Sequence, residues 1–186
     1  MHIAITGKLG SGKSSVTSIL ANQLGYEIYS TGNIQRHIAS EMGITTLELN
    51  LRMKNDSSLD HVIDDAVAKI SLERDRIIFD SRMAWHFAHN AFRVFLDVDP
   101  YESAKRVFAA DRGEVEKYAS ISEAERALIE RGEVERSRFL EIYGVDYYDV
   151  GNYDLVIDST HISSFDVADE IVSKFKVLCE KNGETI

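Results

Sequence analysis

The chain has 186 residues, 44% of them hydrophobic, and 31 acidic against 21 basic side chains give a formal net charge of −10. That length suits one compact domain with a substantial core, and the acidic excess argues against a broad basic surface for nucleic acid, leaving phosphate recognition to a local arginine cluster around a small ligand. Cys179 is the only cysteine, which excludes an internal disulfide or a cysteine-based zinc site; with no secretory leader pattern and no 18-residue apolar run, a soluble cytoplasmic protein without a membrane partner is expected.

The first predicted strand, about Ile3 to Thr6, runs straight into Gly7-Lys8-Leu9-Gly10-Ser11-Gly12-Lys13-Ser14. This G-x-x-x-x-G-K-S pattern is a phosphate-binding loop: the glycines let successive N–H groups converge on a phosphate, Lys13 reaches the β/γ-phosphates, and the Ser14 hydroxyl can ligate Mg²⁺. Gly7 to Ser15 is therefore the expected ATP-binding loop. An amphipathic helix through Val16, Ile19, Leu20 and Leu24 follows, closed by Gly25.

A second strand, about Tyr26 to Tyr29, leads into Ser30-Thr31-Gly32-Asn33-Ile34-Gln35-Arg36. A helix beginning near Thr31 carries Arg36 about one and a half turns in, where it can point back over the sheet edge. Some forty-five residues then precede the third strand, with the capping box Thr45-x-x-Glu48 and with Leu59, Val62, Ile63, Ala66, Val67 and Ile70 at helix spacing; a crossover needs far less, so an insert is expected. The third strand, about Ile77 to Phe79, ends in Asp80-Ser81-Arg82. Asp80 can hold Mg²⁺ or its water, or cap a following helix.

The fourth strand, about Val94 to Leu96, is followed by Asp97, which suits capping or a turn, and by Asp99-Pro100-Tyr101-Glu102, a strong helix start. That helix leads through Arg112-Gly113-Glu114 into a charged helix from Ser122, with a box at Ser122-x-x-Glu125, to Tyr143, ended by Gly144. Arg106, Arg112, Arg126, Arg131, Arg136 and Arg138 crowd this region, and little apolar stripe precedes Phe139, so it reads as a mobile charged lid. A fifth strand, about Leu155 to Ile157, completes a parallel, doubly wound α/β sheet. His86 and His89 could share a metal but lack a third ligand; Tyr147 and Tyr148 read as packing.

Bringing two polyanions together requires arginines around the gap, and open α/β sheets bind ligands beyond their strand C-termini. Arg36 and Arg82 emerge there. With Ser30-Thr31-Gly32-x-x-x-Arg36, Asp80-Ser81-Arg82-Met83-Ala84-Trp85, Glu130-Arg131 through Arg138-Phe139, and Tyr153 to Ser159 in hand, the chain resembles the nucleoside monophosphate kinases, most closely the short archaeal-type cytidylate kinases. The resemblance implies a P-loop NTPase fold, a five-stranded parallel sheet of order 2-3-1-4-5 with helices on both faces. It also implies a core of about 1–35, 74–110 and 144–186, a monophosphate-binding insert of about 36–73 and a lid of about 111–143. The implied reaction moves the ATP γ-phosphoryl group to CMP or dCMP with Mg²⁺ at Ser14 and Asp80.

By position, Lys13, Arg82, Arg131 and Arg136 would be catalytic, Arg36 and Arg82 would hold the acceptor phosphate, and Ser30, Glu135 and Arg138 would also serve the acceptor. Arg131, Arg136 and Arg138 would close over the transferring group, with Arg106 and Arg112 on the ATP side. A monomer or weak homodimer is expected. Three departures stand out: Lys8-Leu9 in the loop, Ser81 where the family usually has glycine, and Met83 where longer bacterial members place an aspartate. Other acceptors, namely AMP, UMP, shikimate or dephospho-coenzyme A, and a non-catalytic nucleotide-regulated switch are the competing readings. The lack of an N-K-x-D segment disfavours a GTPase.

Overall fold

The structure, a computed structural model, describes residues 1–54, 56–110 and 116–184. Its sheet has the order β2-β3-β1-β4-β5, with β1 at His2–Gly7, β2 at Glu27–Ser30, β3 at Ile77–Asp80, β4 at Ala91–Asp97 and β5 at Leu155–Asp158, every pairing parallel. The central strands β1, β3 and β4 are mostly buried because both faces are covered, while the edge strands β2 and β5 are largely exposed. On one face α1 (Lys13–Leu24) and α8 (Ser164–Asn182) bring Val16, Leu20, Ile171 and Phe175 onto Ile3, Ile5, Val94 and Leu96. On the other, Val67 of α4 (Ser58–Glu73) and Ala84 of α5 (Ala84–Phe87) pack on Ala4 and Phe79.

The parallel register sets the site. Ser30 is paired with Asp80, and Ile5 with both Asp80 and Val94. The C-terminal ends of β1, β2 and β3 therefore meet at one edge, the crevice in which such sheets hold ligands. Between β2 and β3 lie α2 (Thr31–Met42), α3 (Thr46–Met53) and α4, the additional helices the long spacing anticipates. Thr45 and Glu48 satisfy each other's backbone N–H groups, Gly25 and Gly144 close their helices in the left-handed conformation, and Asp99 accepts from Tyr101 and Glu102 at the start of α6 (Pro100–Ala109).

Three expectations are corrected. The last long helix before β5, α7 (Ile121–Tyr143), is capped by Ser120 and not by Ser122: Ser120 Oγ accepts from Glu123 N at 3.1 Å, and Glu123 Oε2 accepts from Ala119 N at 2.6 Å. Second, α7 has a continuous inner face. Ala124 and Leu128 pack with Leu9, Ala104 and Val107, and the same face continues through Arg131, Glu135 and Arg138 to Phe139, all buried. The stripe is hard to see in sequence because half of it is ionic. Third, Val62 of α4 is 65% exposed; the buried face carries Asp60 and Asp64 alongside Ile63 and Val67. Tyr147 and Tyr148 pack with Met83, Trp85 and Phe139, as expected. Arg112, with Gly113 and Glu114, lies outside the described residues.

Gly10 has φ +71°, and a Cβ there would strike the Ser103 side chain and lie 2.9 Å from the Ser103 carbonyl. Gly12 has φ +86° but would meet only Ser164 Oγ, at 3.8 Å. Both alanine variants carry the conformational penalty and only one carries the collision, so Gly10→Ala should destabilise the protein by at least about 1 kcal/mol more than Gly12→Ala. Urea unfolding of the two variants checks this; equal losses would contradict it.

Candidate active site

The chain leaves β1 at Gly7, whose φ of +148° no side chain could accept here, since a Cβ would collide with the Leu96 carbonyl. Lys8 N then donates to Leu96 O at 3.0 Å. The unusual Lys8-Leu9 pair anchors the loop. Lys8 Nζ reaches Asp97 Oδ1 at 2.6 Å, Leu9 enters the apolar cluster between α6 and α7, and its carbonyl accepts from Ser103 Oγ at 2.7 Å. The Lys8 side chain thus points to the end of β4, and Asp97 serves as its partner. Lys13 Nζ donates to the Gly7 and Lys8 carbonyls at 2.9 Å each, which holds the ammonium at the mouth of the loop. Ser11 Oγ is buried without a hydrogen-bond partner among the described residues. An oxygen-rich ligand at the positive N-terminus of α1 would satisfy such a donor.

Asp80 gathers two hydroxyls on one carboxylate oxygen: Ser14 Oγ and Ser30 Oγ each donate to Oδ2 at 3.2 Å. It does not cap a helix, and Ser30 faces this carboxylate. Among the described residues no group of three histidine, cysteine or carboxylate side chains could hold a metal, and the ring of His86 instead packs on Trp85, Phe87 and Tyr143. The Ser14–Asp80 pair fits Mg²⁺, a hard cation that commonly takes one carboxylate, a hydroxyl and water, with ligand phosphate completing its octahedron.

A cavity of ≈ 80 Å³, open to solvent, lies between the loop, α2, the end of β3 and α7, and Gln35, Arg36, Asp80, Arg82, Glu116 and Arg131 contribute to its wall. The turn that delivers Arg82 is fixed from β1, where Thr6 Oγ1 donates to the Ser81 and Arg82 carbonyls at 3.0 and 3.3 Å. Glu135 lies behind this wall and clamps it: its two oxygens accept from Arg82 Nε at 2.9 Å and Arg131 Nε at 2.8 Å. Arg131 Nη1 also donates to Glu116 Oε1 at 2.7 Å and Thr46 Oγ1 at 3.1 Å.

Burial pushes the Glu135 carboxyl up, but Arg82, Arg131 and Arg138 outweigh it and hold the group down at about 2. Burial likewise works against the Arg82 charge, and Glu135 more than restores it. Arg82 spends only Nε on this contact; its Nη groups bond to no described residue, so the fork stays open to the cavity. Arg36, half-buried, donates from Nη2 to Asn33 Oδ1 at 2.5 Å.

Other expected residues lie elsewhere. Arg136 turns to the outer side of α7, where it forks onto Asp146 at 3.0 and 2.6 Å and lies over the Tyr148 ring; one residue past Glu135 is about 100° around the helix. Arg138 shares the inner face but reaches past the cavity wall to α3 and α4. Its Nη1 donates to Asn50 Oδ1 at 2.7 Å, and its Nε lies 3.0 Å from Asp60 Oδ2 without hydrogen-bond alignment. Glu135, expected near the nucleoside, acts on the arginines. Arg106 donates to the Ser159 and Thr160 carbonyls at 2.7 and 2.9 Å and borders a second groove along the outer side of the loop.

Sequence reasoning missed Gln35, Thr46, Asn50, Asp60, Asp64 and Glu116. Only Asp60 and Asp64 left a trace, as carboxylates spaced i, i+4 within an apolar stripe. Burial, offset in part by Arg138, raises Asp60 to about 6. Burial raises Asp64 to about 7 even though its Oδ2 accepts from Tyr143 Oη at 2.7 Å.

A phosphate-binding loop at the head of a 2-3-1-4-5 sheet, facing arginines held across a cavity, defines a small-molecule kinase of the P-loop class. The cytidylate kinase-like family profile matches residues 2–161, and the chain belongs to that family. It is a cytidylate kinase-like phosphotransferase. A cytidylate kinase of Natronomonas pharaonis is 39% identical over 165 residues, covering 88% of this chain and 83% of that protein. An S-adenosylmethionine-dependent nucleotide dehydratase of Lacinutrix mariniflava is 33% identical over 94% of this chain but only 36% of its own length, so the chain corresponds to about a third of that protein. The fold is shared with the shikimate kinase of Bacteroides thetaiotaomicron, at TM-score 0.61 and 15% identity over 97% of this chain and 98% of that one. None of the described helices is long and apolar enough to cross a membrane.

Two predictions follow from the charges. Removing the Glu135 charge leaves two buried guanidiniums facing each other, so Glu135→Gln should cost about 3–5 kcal/mol at neutral pH. Because the folded carboxyl lies below its ordinary value of 4.5, its contribution is complete above pH 4.5 and is lost as pH falls toward 2. The gap between wild type and variant in urea unfolding should narrow over that window; a gap that stays constant would refute the assignment. Asp64 works in the opposite sense. The fold holds its proton up to about pH 7 while the unfolded chain releases it near 3.8, so stability declines as pH rises between those values. Asp64→Asn should remove that decline, gaining roughly 4 kcal/mol on wild type between pH 4 and pH 8. Parallel pH profiles would count against it.

Proposed function

We propose that the protein transfers the γ-phosphoryl group of ATP to the phosphate of CMP or dCMP. The observation that carries this reading is the open Arg82 fork, fixed by Glu135 and set in the same cavity wall as Lys13 and the Ser14–Asp80 pair. ATP places its phosphates in the loop from Gly7 to Ser15 and its nucleoside along the groove bordered by Arg106. Lys13 moves from the Gly7 and Lys8 carbonyls onto the β/γ-phosphates. Arg36 and Arg82 hold the acceptor phosphate, so that one of its oxygens lies in line with the γ-phosphorus and the bridging bond to ADP.

As that bond breaks, charge spreads over the transferring oxygens and Arg131 meets it from α7. Ser14 and Asp80 would hold Mg²⁺, which when bound would supply positive charge against the charge developing on the phosphates. The insert, about 36–73, serves the acceptor and the segment of about 111–143 closes over the site. Thr46 on α3 already contacts Arg131 of α7, which supports a joint movement. Arg136 and Arg138 take no part in the transfer; they hold α7 in place through Asp146, Asn50 and Asp60.

Arg82→Ala should raise KM for CMP by roughly one to two orders of magnitude, since each charge-assisted bond contributes about 1.5–3 kcal/mol, and should leave KM for ATP within about twofold. Arg82→Lys should rescue only part, because a point charge lacks the fork. Steady-state kinetics with each substrate varied separately measures both. A wild-type protein that phosphorylates AMP or shikimate, but neither CMP nor dCMP, would overturn the acceptor while sparing the kinase.

A further inference from the structure

Thr31, Gly32, Gln35 and Arg36 share the face of α2 that borders the cavity, at the i, i+3, i+4 spacing of one helix surface. Gln35 is 9% exposed, and its amide makes no hydrogen bond to any described residue. Several other polar groups of the wall are already engaged. Asp80 is engaged by Ser14 and Ser30, Glu116 by Arg131 and Thr46, the Thr31 hydroxyl reaches the Asp80 carbonyl, and the guanidiniums suit phosphate. Gln35 is the one amide among the described residues of this wall.

The amide opens onto the cavity with no partner among the described residues, which leaves it available to pair with a ligand there. Phosphate is a poor match, since it offers acceptors only and the neighbouring guanidiniums serve it better. An amide offers one acceptor and two donors side by side, which matches an edge that presents a donor next to an acceptor. A pyrimidine base has that edge: an exocyclic amine beside a ring acceptor in cytosine, a carbonyl beside a ring N–H in uracil. Resting on the proposed acceptor, we infer that Gln35 is a specificity-determining residue that reads the pairing edge of the acceptor pyrimidine. By turning its amide over, Gln35 serves either base, so the site tolerates uracil as well as cytosine.

The experiment compares wild type, Gln35→Leu and Gln35→Glu on CMP, UMP and dCMP, using kcat/KM and, for any variant too slow to assay, calorimetric dissociation constants. Gln35→Leu should raise KM for CMP about tenfold with KM for ATP within twofold. A carboxylate can only accept, so Gln35→Glu keeps a bond to the amine of cytosine or the ring N–H of uracil but offers no donor to the acceptor beside it; KM for CMP and KM for UMP should both rise about tenfold, with KM for ATP within twofold. The CMP-to-dCMP ratio should stay fixed in both variants. A KM for CMP within twofold of wild type in both variants overturns the inference, as does a change in the CMP-to-dCMP ratio, which would place Gln35 on the sugar. An active wild type whose two variants keep their KM for CMP overturns Gln35 alone. A wild type that turns over neither CMP nor UMP overturns the acceptor reading beneath it.

Discussion

Two guanidiniums placed side by side in a buried wall repel each other, and the whole cavity depends on how that repulsion is cancelled. Glu135 cancels it from behind, with one oxygen for Arg82 Nε and one for Arg131 Nε. The geometry matters as much as the charge. An Nε contact fixes the plane of each guanidinium while keeping the Nη pair of Arg82 for the cavity, so the fork is oriented before any ligand arrives. Buried ion pairs of this kind rarely add net stability over apolar packing. Position is what this one supplies, and the neighbouring apolar clusters around Leu9, Leu128, Met83 and Phe139 carry the burial.

The clamp also ties separate parts of the chain together. Arg82 belongs to the end of β3, Glu135 and Arg131 to α7, Thr46 to α3, and Glu116 to the stretch before α7, yet all are joined by direct contacts. One turn further along α7, Arg138 reaches Asn50 and Asp60, and beyond it Tyr143 donates to Asp64. The inner face of α7 is thus a polar spine against α3 and α4. Movement of α7 away from the sheet would have to separate these pairs, and each separation exposes a charge that must find water or substrate phosphate. Such a seam favours two discrete arrangements over a continuous one.

The legible parts of the sequence were those governed by local rules. The phosphate loop and the caps at Thr45, Asp99, Gly25 and Gly144 follow from backbone geometry and short-range pairing, so a few adjacent residues suffice to recognise them, whereas the strand order rested on the family resemblance. Asp80 and Arg82 were legible for a related reason, because a polar residue at the end of an apolar strand has few places to go. The inner face of α7 was not, since a stripe made of Arg131, Glu135 and Arg138 looks like a solvated surface unless the partners on β3, α3 and α4 are known. Arg136 shows the converse. It lies between two buried charges in sequence, and only the helical period and the location of Asp146 place it outside. Gln35, one position from a recognised arginine, carries no signal of its own; its meaning comes from the cavity it borders.

The same arrangement explains how a chain with a net charge of −10 can seat polyanions. In the cavity wall and just behind it, the carboxylates of Glu135 and Glu116 balance the guanidiniums of Arg82 and Arg131, so these arginines do not draw phosphate by a broad field. What they offer is direction: N–H groups fixed toward a cavity from which water is partly excluded, where a hydrogen bond to an anion is stronger than in bulk water. The loop amides and the start of α1 act likewise, with partial charges that need no counterion. Recognition built from oriented donors depends on shape and contact more than on long-range attraction. A surface rich in carboxylates is then compatible with tight phosphate binding and repels the larger polyanions that a basic surface would collect.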